Sequence, residues 1–326
     1  MRVRLLSFSD QGEALAARLA AALGGAADRG VPAGAWAARY FDAVDALVFV
    51  GAAGIAVRSV APHIKSKATD PAVVAVDEGG RFAVPLLSGH LGGANDLARR
   101  IGEICGAAPV ITTATDVRGA FAVDEWARRQ NCALLEPERI LPVSARVLRG
   151  DTVTVTSDWP IAGDCPPGVT LGENGDILLG LRAEEGPALH LVPRIGVLGV
   201  GCRRGTARDA LETAFRDFLA CCGLCGACVA EVCSIDRKAA EPGLLAFCEG
   251  HGWPFRTFSA EELARVEGDF SASGFVAETV GVDNVCERAA VLGSGGKLIA
   301  RKYAKNGVTM ALAVRPYAPS WRWRYE

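Results

Sequence analysis

Strand-length apolar runs and helix-length amphipathic segments alternate along this chain, and glycine-rich turns join one to the next. "VRLLSF" (3–8) reads as a strand. "GEALAARLAAAL" (12–23) reads as a helix with Leu15, Leu19 and Leu23 on one face. "ALVFVG" is a strand, and "GIAVRSVAPHI" a helix that Pro62 ends or kinks. "AVVAVDEGGRFAVPLL" gives two strands around Glu78-Gly79-Gly80. "NDLARRIGEIC", "PVITT" and "AVDEWARRQ" continue as helix, strand and helix. Such alternation predicts an α/β fold, a mostly parallel sheet with helices on both faces.

The pattern weakens from 132 to 193, where prolines interrupt it, although "DTVTVTSD" and "DILLGL" still read as strands. A second α/β unit starts at "RIGVLGVGCRRGTARDALETAF", with Thr206 and Asp209 set as the cap of its first helix. Ser259 with Glu262 forms another capping box, and Gly293 closes the helix "NVCERAAVLG". Gly250 or Gly252 stops "EPGLLAFCEGHG", and Asn306-Gly307 marks a hairpin between the final strands. The expected organisation is two α/β domains with mostly parallel sheets, 1–131 and 194–317. They are joined by a small middle module, 132–193, and followed by a tail, 318–326. The tail "SWRWRYE" is expected to be disordered or to contact a partner.

The 326 residues suit two or three domains, and 50% apolar content supplies their cores. A net charge of −2 gives no global pull toward nucleic acid or an anionic membrane. The start lacks a long apolar core, and the most apolar run, 46–57, is too short to span a bilayer. Eleven irregularly spaced cysteines read as free thiols of a reduced cytoplasm.

Four turns stand out: "FVGAAGIAVR" with Gly51 and Gly54, "LLSGHLGGAND" with Ser88, Gly89, His90, Gly92 and Gly93, "TTATDVRG" with Thr113, Thr115 and Asp116, and "GVGCRRGT" with Gly201, Arg203 and Arg204. In a parallel sheet such turns fall at the carboxyl ends of the strands, where open α/β folds bind ligands. Glycines admit a ligand close to the backbone, and helix starts favour anions. Arginine pairs clamp carboxylates. Together the four turns suit a ligand with several carboxylates or phosphates.

His90 and His63 are suited to acid or base work near neutral pH. A surface or capping role is the simpler account of His63. Ser88 is expected to hydrogen-bond rather than act as a nucleophile, since "LLSGH" is not a nucleophile elbow. Lys65 and Lys67 read as a solvated edge, and the helix dipole alone accounts for Asp124 and Glu125. Asp236, Lys238 and Glu241 end a strand, as a local ion pair or a ligand-contacting edge. "GVGCRRG" has one residue too many for a dinucleotide fingerprint. Cys222, Cys225 and Cys228 have iron–sulfur spacing but sit where a helix gives way to a strand, and small buried thiols pack there equally well.

"GIAVRSVAPHIKSKATDPAVVAVDEGGRFAVPLLSGHLGGANDLARRI" with "PVITTATDVRGAFAVDEWA" closely resembles the amino-terminal domain of the CbiG family of cobalamin-biosynthesis proteins, the cobalt-precorrin 5A hydrolases. "GVGCRRGT", "SIDRKAAEPGLL", "TFSAEEL", "VGVDNVCERAAVL" and "GVTMALA" resemble its carboxyl-terminal domain. The resemblance implies a cobalt corrinoid substrate whose δ-lactone is opened with release of acetaldehyde, giving cobalt-precorrin 5B. Cobalt arrives inside the substrate, so no cofactor and no resident metal are expected. Neighbouring pathway enzymes or a second copy of the chain are the macromolecular partners to expect. On this reading His90 is base or acid, and Asp116 orients it or is itself the base. The corrinoid is bound by Gly51, Gly54, Ser88, Gly89, Gly92, Gly93, Thr113, Thr115, Gly201, Arg203, Arg204, Lys238 and Glu241. A corrinoid carrier without chemistry, a nicotinamide-dependent oxidoreductase and an iron–sulfur protein are the rival classes.

Overall fold

The computed structural model describes residues 1–66, 69–182, 186–271 and 284–324, so Lys67 lies outside the described residues. The first sheet contains β1 (Val3–Ser7), β2 (Ala26–Arg29), β3 (Ala46–Val50), β4 (Ala72–Val76), β5 (Phe82–Leu87) and β6 (Ala108–Pro109), in the order β2-β1-β3-β4-β5-β6. All five positions of β3 and of β4 are buried, as strands covered on both faces require. Helices α1 (Asp10–Leu23), α2 (Ala33–Tyr40), α3 (Ala53–Val60) and α4 (Ala94–Cys105) provide that cover. Ser9 caps α1 by accepting the Gly12 N–H at 3.1 Å, and Gly24 ends it in the left-handed region.

The sheet is parallel except where β5 runs antiparallel to β4, with β6 then parallel to β5. This single reversal decides where the functional turns lie. After β6 come two short helices, α5 (Ala114–Arg118) and α6 (Val123–Arg129).

The middle of the chain is more regular than its prolines suggest. Strands β7 (Cys132–Leu134), β8 (Val153–Ser157), β9 (Val169–Leu171), β10 (Ile177–Leu179) and β11 (Leu189–Pro193) form one sheet in the order β7-β11-β10-β8-β9. Its core gathers Val143 and Val147 of α7 (Ile140–Arg149), Trp126 of α6, and Trp321 and Trp323. The expectation of a disordered or partner-seeking 318–326 segment is therefore corrected. Trp321 stacks on Trp126 with ring centroids 5.1 Å apart. The Trp126 indole donates to the Ser320 carbonyl at 2.8 Å, and Ser320 N–H donates to Gln130 at 3.0 Å. Tryptophans bury well where the indole N–H finds an acceptor. Tyr325 and Glu326 lie outside the described residues.

The third sheet has the order β14-β13-β12-β16-β15, from β12 (Gly196–Cys202), β13 (Val229–Ile235), β14 (Phe255–Phe258), β15 (Lys297–Lys305) and β16 (Val308–Val314). Parallel β12, β13 and β14 are extended by an antiparallel hairpin that turns at Asn306 and Gly307, both at positive φ. Helices α8 (Arg208–Cys222), α9 (Pro242–His251), α10 (Ala260–Ala264) and Cys286–Ser294 complete the unit. The Ser259–Glu262 capping box forms. Thr206 does not cap α8: Ala207 takes that position, and the Thr206 hydroxyl donates to the Arg203 carbonyl at 2.8 Å. The last helix ends at Gly295 rather than Gly293, whose site for a Cβ is crowded by Cys233 and Val197. Gly199 also has a packing reason. A Cβ there would stand 1.8 Å from the Cys286 carbonyl, so only glycine lets this helix lie on β12.

Candidate functional site

The four turns do not converge. Gly51 follows β3 and donates its N–H to Val76 at the carboxyl end of β4. Because β5 is antiparallel, Leu87 pairs with Val73, and the Ser88–Gly93 turn lies at the amino end of β4. The turn after β6 shares that end. Gly51 and Gly54 are thus at the opposite edge of the sheet from His90, which corrects the expectation of one common rim. The β4–β5 turn lies at Glu78-Gly79-Gly80, where the sequence pattern places it; the expectation of one rim left out its consequence, that the turn after β5 lies at the other end of the sheet.

The second turn is built to seat a histidine. Ser88 adopts φ 56, and Gly93 follows at φ 81. A Cβ on Gly92 would lie 2.4 Å from the Ser88 Cβ. The Ser88 and Gly89 carbonyls accept the N–H groups of Ala94 and Asn95 at 3.1 and 3.0 Å, starting α4. Ser88 was expected to hydrogen-bond, but its buried hydroxyl reaches no partner among the described residues. The compact turn presents His90 between two carboxylates. Nε2 is 2.9 Å from Asp116 Oδ2, and Nδ1 is 3.2 Å from Asp124 Oδ1.

The surroundings extend this contact. Asp116 Oδ2 also accepts from Asn95 at 3.0 Å, and Asp116 Oδ1 pairs with Arg99 at 2.5 Å. Thr113 accepts from Asn95 at 3.1 Å, and the Thr115 hydroxyl is 3.4 Å from His90 Nε2. Asp96 binds Arg128 and Arg129, and Arg129 reaches Glu125 at 3.1 Å. Asp124 and Glu125, assigned to the helix dipole alone, are therefore parts of this cluster. Asp124 holds the histidine, and Glu125 is almost wholly buried. A carboxylate at a helix start reads the same whether it faces solvent or a cation, so no local signal marks Asp124.

Burial opposes the charge on His90, but the hydrogen bonds and charges of Asp116 and Asp124 outweigh it, raising its pKa to about 10. Burial also opposes the Asp116 carboxylate, yet His90 and Arg99 hold it down at about 2. Burial, with the charge of Asp96, pushes Glu125 up. His90 is thus an imidazolium at neutral pH, a proton donor rather than a base. His90, Asp116 and Glu125 offer ligand atoms within 4.8 Å of one another, the crowding of a metal site. Both ring nitrogens, however, already face carboxylates. The four acids Asp96, Asp116, Asp124 and Glu125 are matched by Arg99, Arg128, Arg129 and the imidazolium.

A second concavity lies at the carboxyl ends of β12 and β13, where open sheets bind ligands. It is a cavity of 1330 Å³ that includes Gly201, Arg203, Arg204, Lys238 and Glu241. Arg237, Lys302 and Lys305, which the sequence reading passed over, also line it. Among the described lining residues six cationic side chains, one of them (Lys305) paired with Asp217 outside the lining at 2.7 Å, thus meet one carboxylate. That carboxylate is occupied: Glu241 takes the Gly205 N–H at 2.7 Å and the Lys238 ammonium at 2.8 Å. The ion pair that was one of two expectations is present, and it also braces the arginine turn. Hydrogen bonding to Lys238 and the Gly205 amide holds the Glu241 carboxyl below its usual range. Cys222 and Cys225 are partly buried against the domain core and Cys228 lies within it, all three as free thiols.

The sequence pattern described as "Cobalamin synthesis G N-terminal" matches residues 35–116, and "Cobalamin synthesis G C-terminus" matches 196–313. A cobalt-precorrin-5A hydrolase of Salmonella typhimurium is 38% identical over 291 residues, 84% of this chain and 83% of that protein.

This chain belongs to the cobalamin synthesis G family.

A cobalt-precorrin-5A hydrolase of Priestia megaterium is 32% identical over 301 residues, 85% of this chain and 80% of its own length. A crystal structure of a cobalamin biosynthesis protein G homolog from Sulfolobus solfataricus aligns over 96% of this chain and 97% of that one. With 22% identity and a TM-score of 0.44 it carries no further argument. In this family member the carboxyl-terminal match encloses the entire cavity lining, 201–309. The amino-terminal match stops at Asp116, so Asp124, the second partner of His90, lies beyond it. No helix of the described residues is long and apolar enough to cross a membrane.

Proposed function

We propose that this chain is a cobalt-precorrin-5A hydrolase, and that the cavity beside Arg203 and Arg204 holds the corrinoid by its acetate and propionate arms. The observation that carries this reading is the cavity's described lining: six cations, of which Lys238 and Lys305 are paired with Glu241 and Asp217, one already-paired carboxylate, and room on the scale of a large ligand. Guanidinium groups bind carboxylates in bidentate fashion, which suits a rigid macrocycle edged with acid arms.

In the reaction, water adds to the lactone carbonyl and the ring C–O bond breaks, leaving a carboxylate and a hydroxyl. The hydroxyl then loses its proton and its carbon becomes an aldehyde as the C–C bond to the macrocycle breaks; the macrocycle carbon keeps the electron pair and takes up a proton, and acetaldehyde departs. Both bond cleavages leave negative charge that a proton donor relieves. His90, held protonated by Asp116 and Asp124, is our assignment for that donor: its Nδ1–H, in the longer contact at 3.2 Å from Asp124, turns to the substrate while Asp116 keeps Nε2 and sets the ring's orientation. Ser88, Gly89, Gly92, Gly93, Thr113 and Thr115 shape this seat. Gly51 and Gly54 stand at the other end of the sheet, which takes them out of it.

One observation favours the carrier reading. Among the described residues the cavity lining comes from 201–309 and shares no residue with the His90 cluster. Anaerobic incubation with cobalt-precorrin 5A, with trapping of acetaldehyde and mass analysis of the corrinoid, separates the two. Acetaldehyde with a delactonised product supports the hydrolase. Corrinoid that binds tightly and returns unchanged supports the carrier. Full turnover by His90→Ala removes His90 from the mechanism.

A further inference from the structure

The cationic cavity owes part of its shape to a buried acid that does not line it. Glu287, in the first turn of the helix Cys286–Ser294, is fully buried. Its carboxylate collects four donors. Oε2 accepts from the Ser271 N–H at 2.7 Å and Asn284 Nδ2 at 2.8 Å. Oε1 accepts from the Ser271 hydroxyl at 2.9 Å and the Lys302 N–H at 2.7 Å. The Glu287 N–H in turn donates to Asn284 Oδ1 at 2.9 Å. A buried carboxylate is expensive unless hydrogen bonds satisfy it, and four donors do so here.

The bond to Lys302 is the informative one. In the β15–β16 ladder Ala300 pairs with Leu312 and Tyr303 with Met310, so β15 spends three steps where β16 spends two. Such a bulge leaves a residue out of the ladder and re-aims its side chain. Here the Lys302 N–H turns to Glu287, and the Lys302 side chain joins the cavity wall, as do Asn284 and Cys286.

We propose that Glu287 is a positioning residue for the corrinoid cavity: by holding the β15 bulge and Asn284, it sets Lys302 against the bound polycarboxylate. This rests on the corrinoid reading of the cavity.

The test compares wild type with Glu287→Gln, which keeps the shape but turns one acceptor oxygen into an NH2 donor, so that two of the four donors lose their acceptor. The readouts are KM and kcat for cobalt-precorrin 5A and the dissociation constant of cobyrinic acid, a cobalt corrinoid polycarboxylate. The expected result is a rise of about tenfold in KM and in the dissociation constant, with kcat within about twofold. Lys302→Ala should reproduce it, and the double variant should add little, since coupled residues are not additive. Unchanged affinity in folded Glu287→Gln, or additive effects, overturns the proposal. Should Glu287→Gln not fold, Ser271→Ala decides. That hydroxyl touches Glu287 at 2.9 Å and does not line the cavity. It should raise KM about threefold at constant kcat, and no change overturns the proposal. A wild-type protein that binds no corrinoid refutes the reading of the cavity. Wild-type binding that the variants share refutes only the role of Glu287.

Discussion

Asp124 Oδ1 stands 3.2 Å from His90 Nδ1, across the imidazole ring from Asp116 Oδ2, which is 2.9 Å from Nε2. The two acids come from different helices, α6 and α5, and the histidine from the turn before α4. One ring therefore joins three segments, and each of its two N–H protons faces a carboxylate. A histidine with a single acid keeps one nitrogen free to accept a proton. This one has neither free.

Removing either acid should release the ring. Asp124→Asn is expected to lower the His90 pKa by about 1–2 units, the usual effect of one nearby opposite charge. Nitrogen NMR of the imidazole across a pH titration measures it. A pKa unchanged from wild type would show that Asp116 alone holds the proton.

The same shift fixes a pH window for stability. The folded pKa of about 10 exceeds the usual 6.5, so the contribution of His90 is full below about pH 6.5 and fades as pH rises through 10. Asp116, held near 2 against 3.8, contributes fully above about pH 4 and loses this as pH falls through 2. Thermal melts should therefore decline from pH 7 toward 10, and His90→Asn should flatten that alkaline limb.

Arg203 and Arg204 should act on affinity. Each alanine substitution is expected to weaken corrinoid binding by about tenfold, the scale of one charge-assisted contact. Added salt should weaken the wild type more than either variant, because less cationic wall remains to be screened. Titration calorimetry at two ionic strengths measures both effects.

Trp321→Ala should cost about 3–5 kcal/mol of stability, the usual toll of emptying a buried tryptophan site. Trp321 is 6% exposed and stacked on Trp126. Denaturant unfolding measures the loss. A change under 1 kcal/mol would show that the 318–324 segment merely rests on the surface.

The α/β class and most elements were legible because strand and helix periods differ, and the Ser259–Glu262 box and the Asn306-Gly307 turn mark their own geometry. His90 and Asp116 were legible as a pair. Three things were missed. The antiparallel β5 put Ser88–Gly93 at the opposite end from Gly51 and Gly54: the turn at Glu78-Gly79-Gly80 implies that reversal, but the expectation of a mostly parallel sheet overrode it. Asp124 looked like an ordinary helix-start acid until tertiary folding set His90 beside it. Lys302 entered the cavity through a bulge that depends on Glu287, and no local pattern encodes a contact 15 residues away. The aromatic, basic 318–324 segment reads as exposed by charge, yet its two tryptophans point inward while Arg322 and Arg324 stay out.

The Trp126 indole and the Ser320 carbonyl that receives it are 194 positions apart. At synthesis rates of about 5–20 residues per second, the helix that carries Asp124 waits roughly 10–40 s for this partner to be made. During that time Trp126 and Phe121 offer a bare aromatic face to whatever else is near. The last wall around the helix that carries Asp124 is thus supplied only when the chain has looped back on itself.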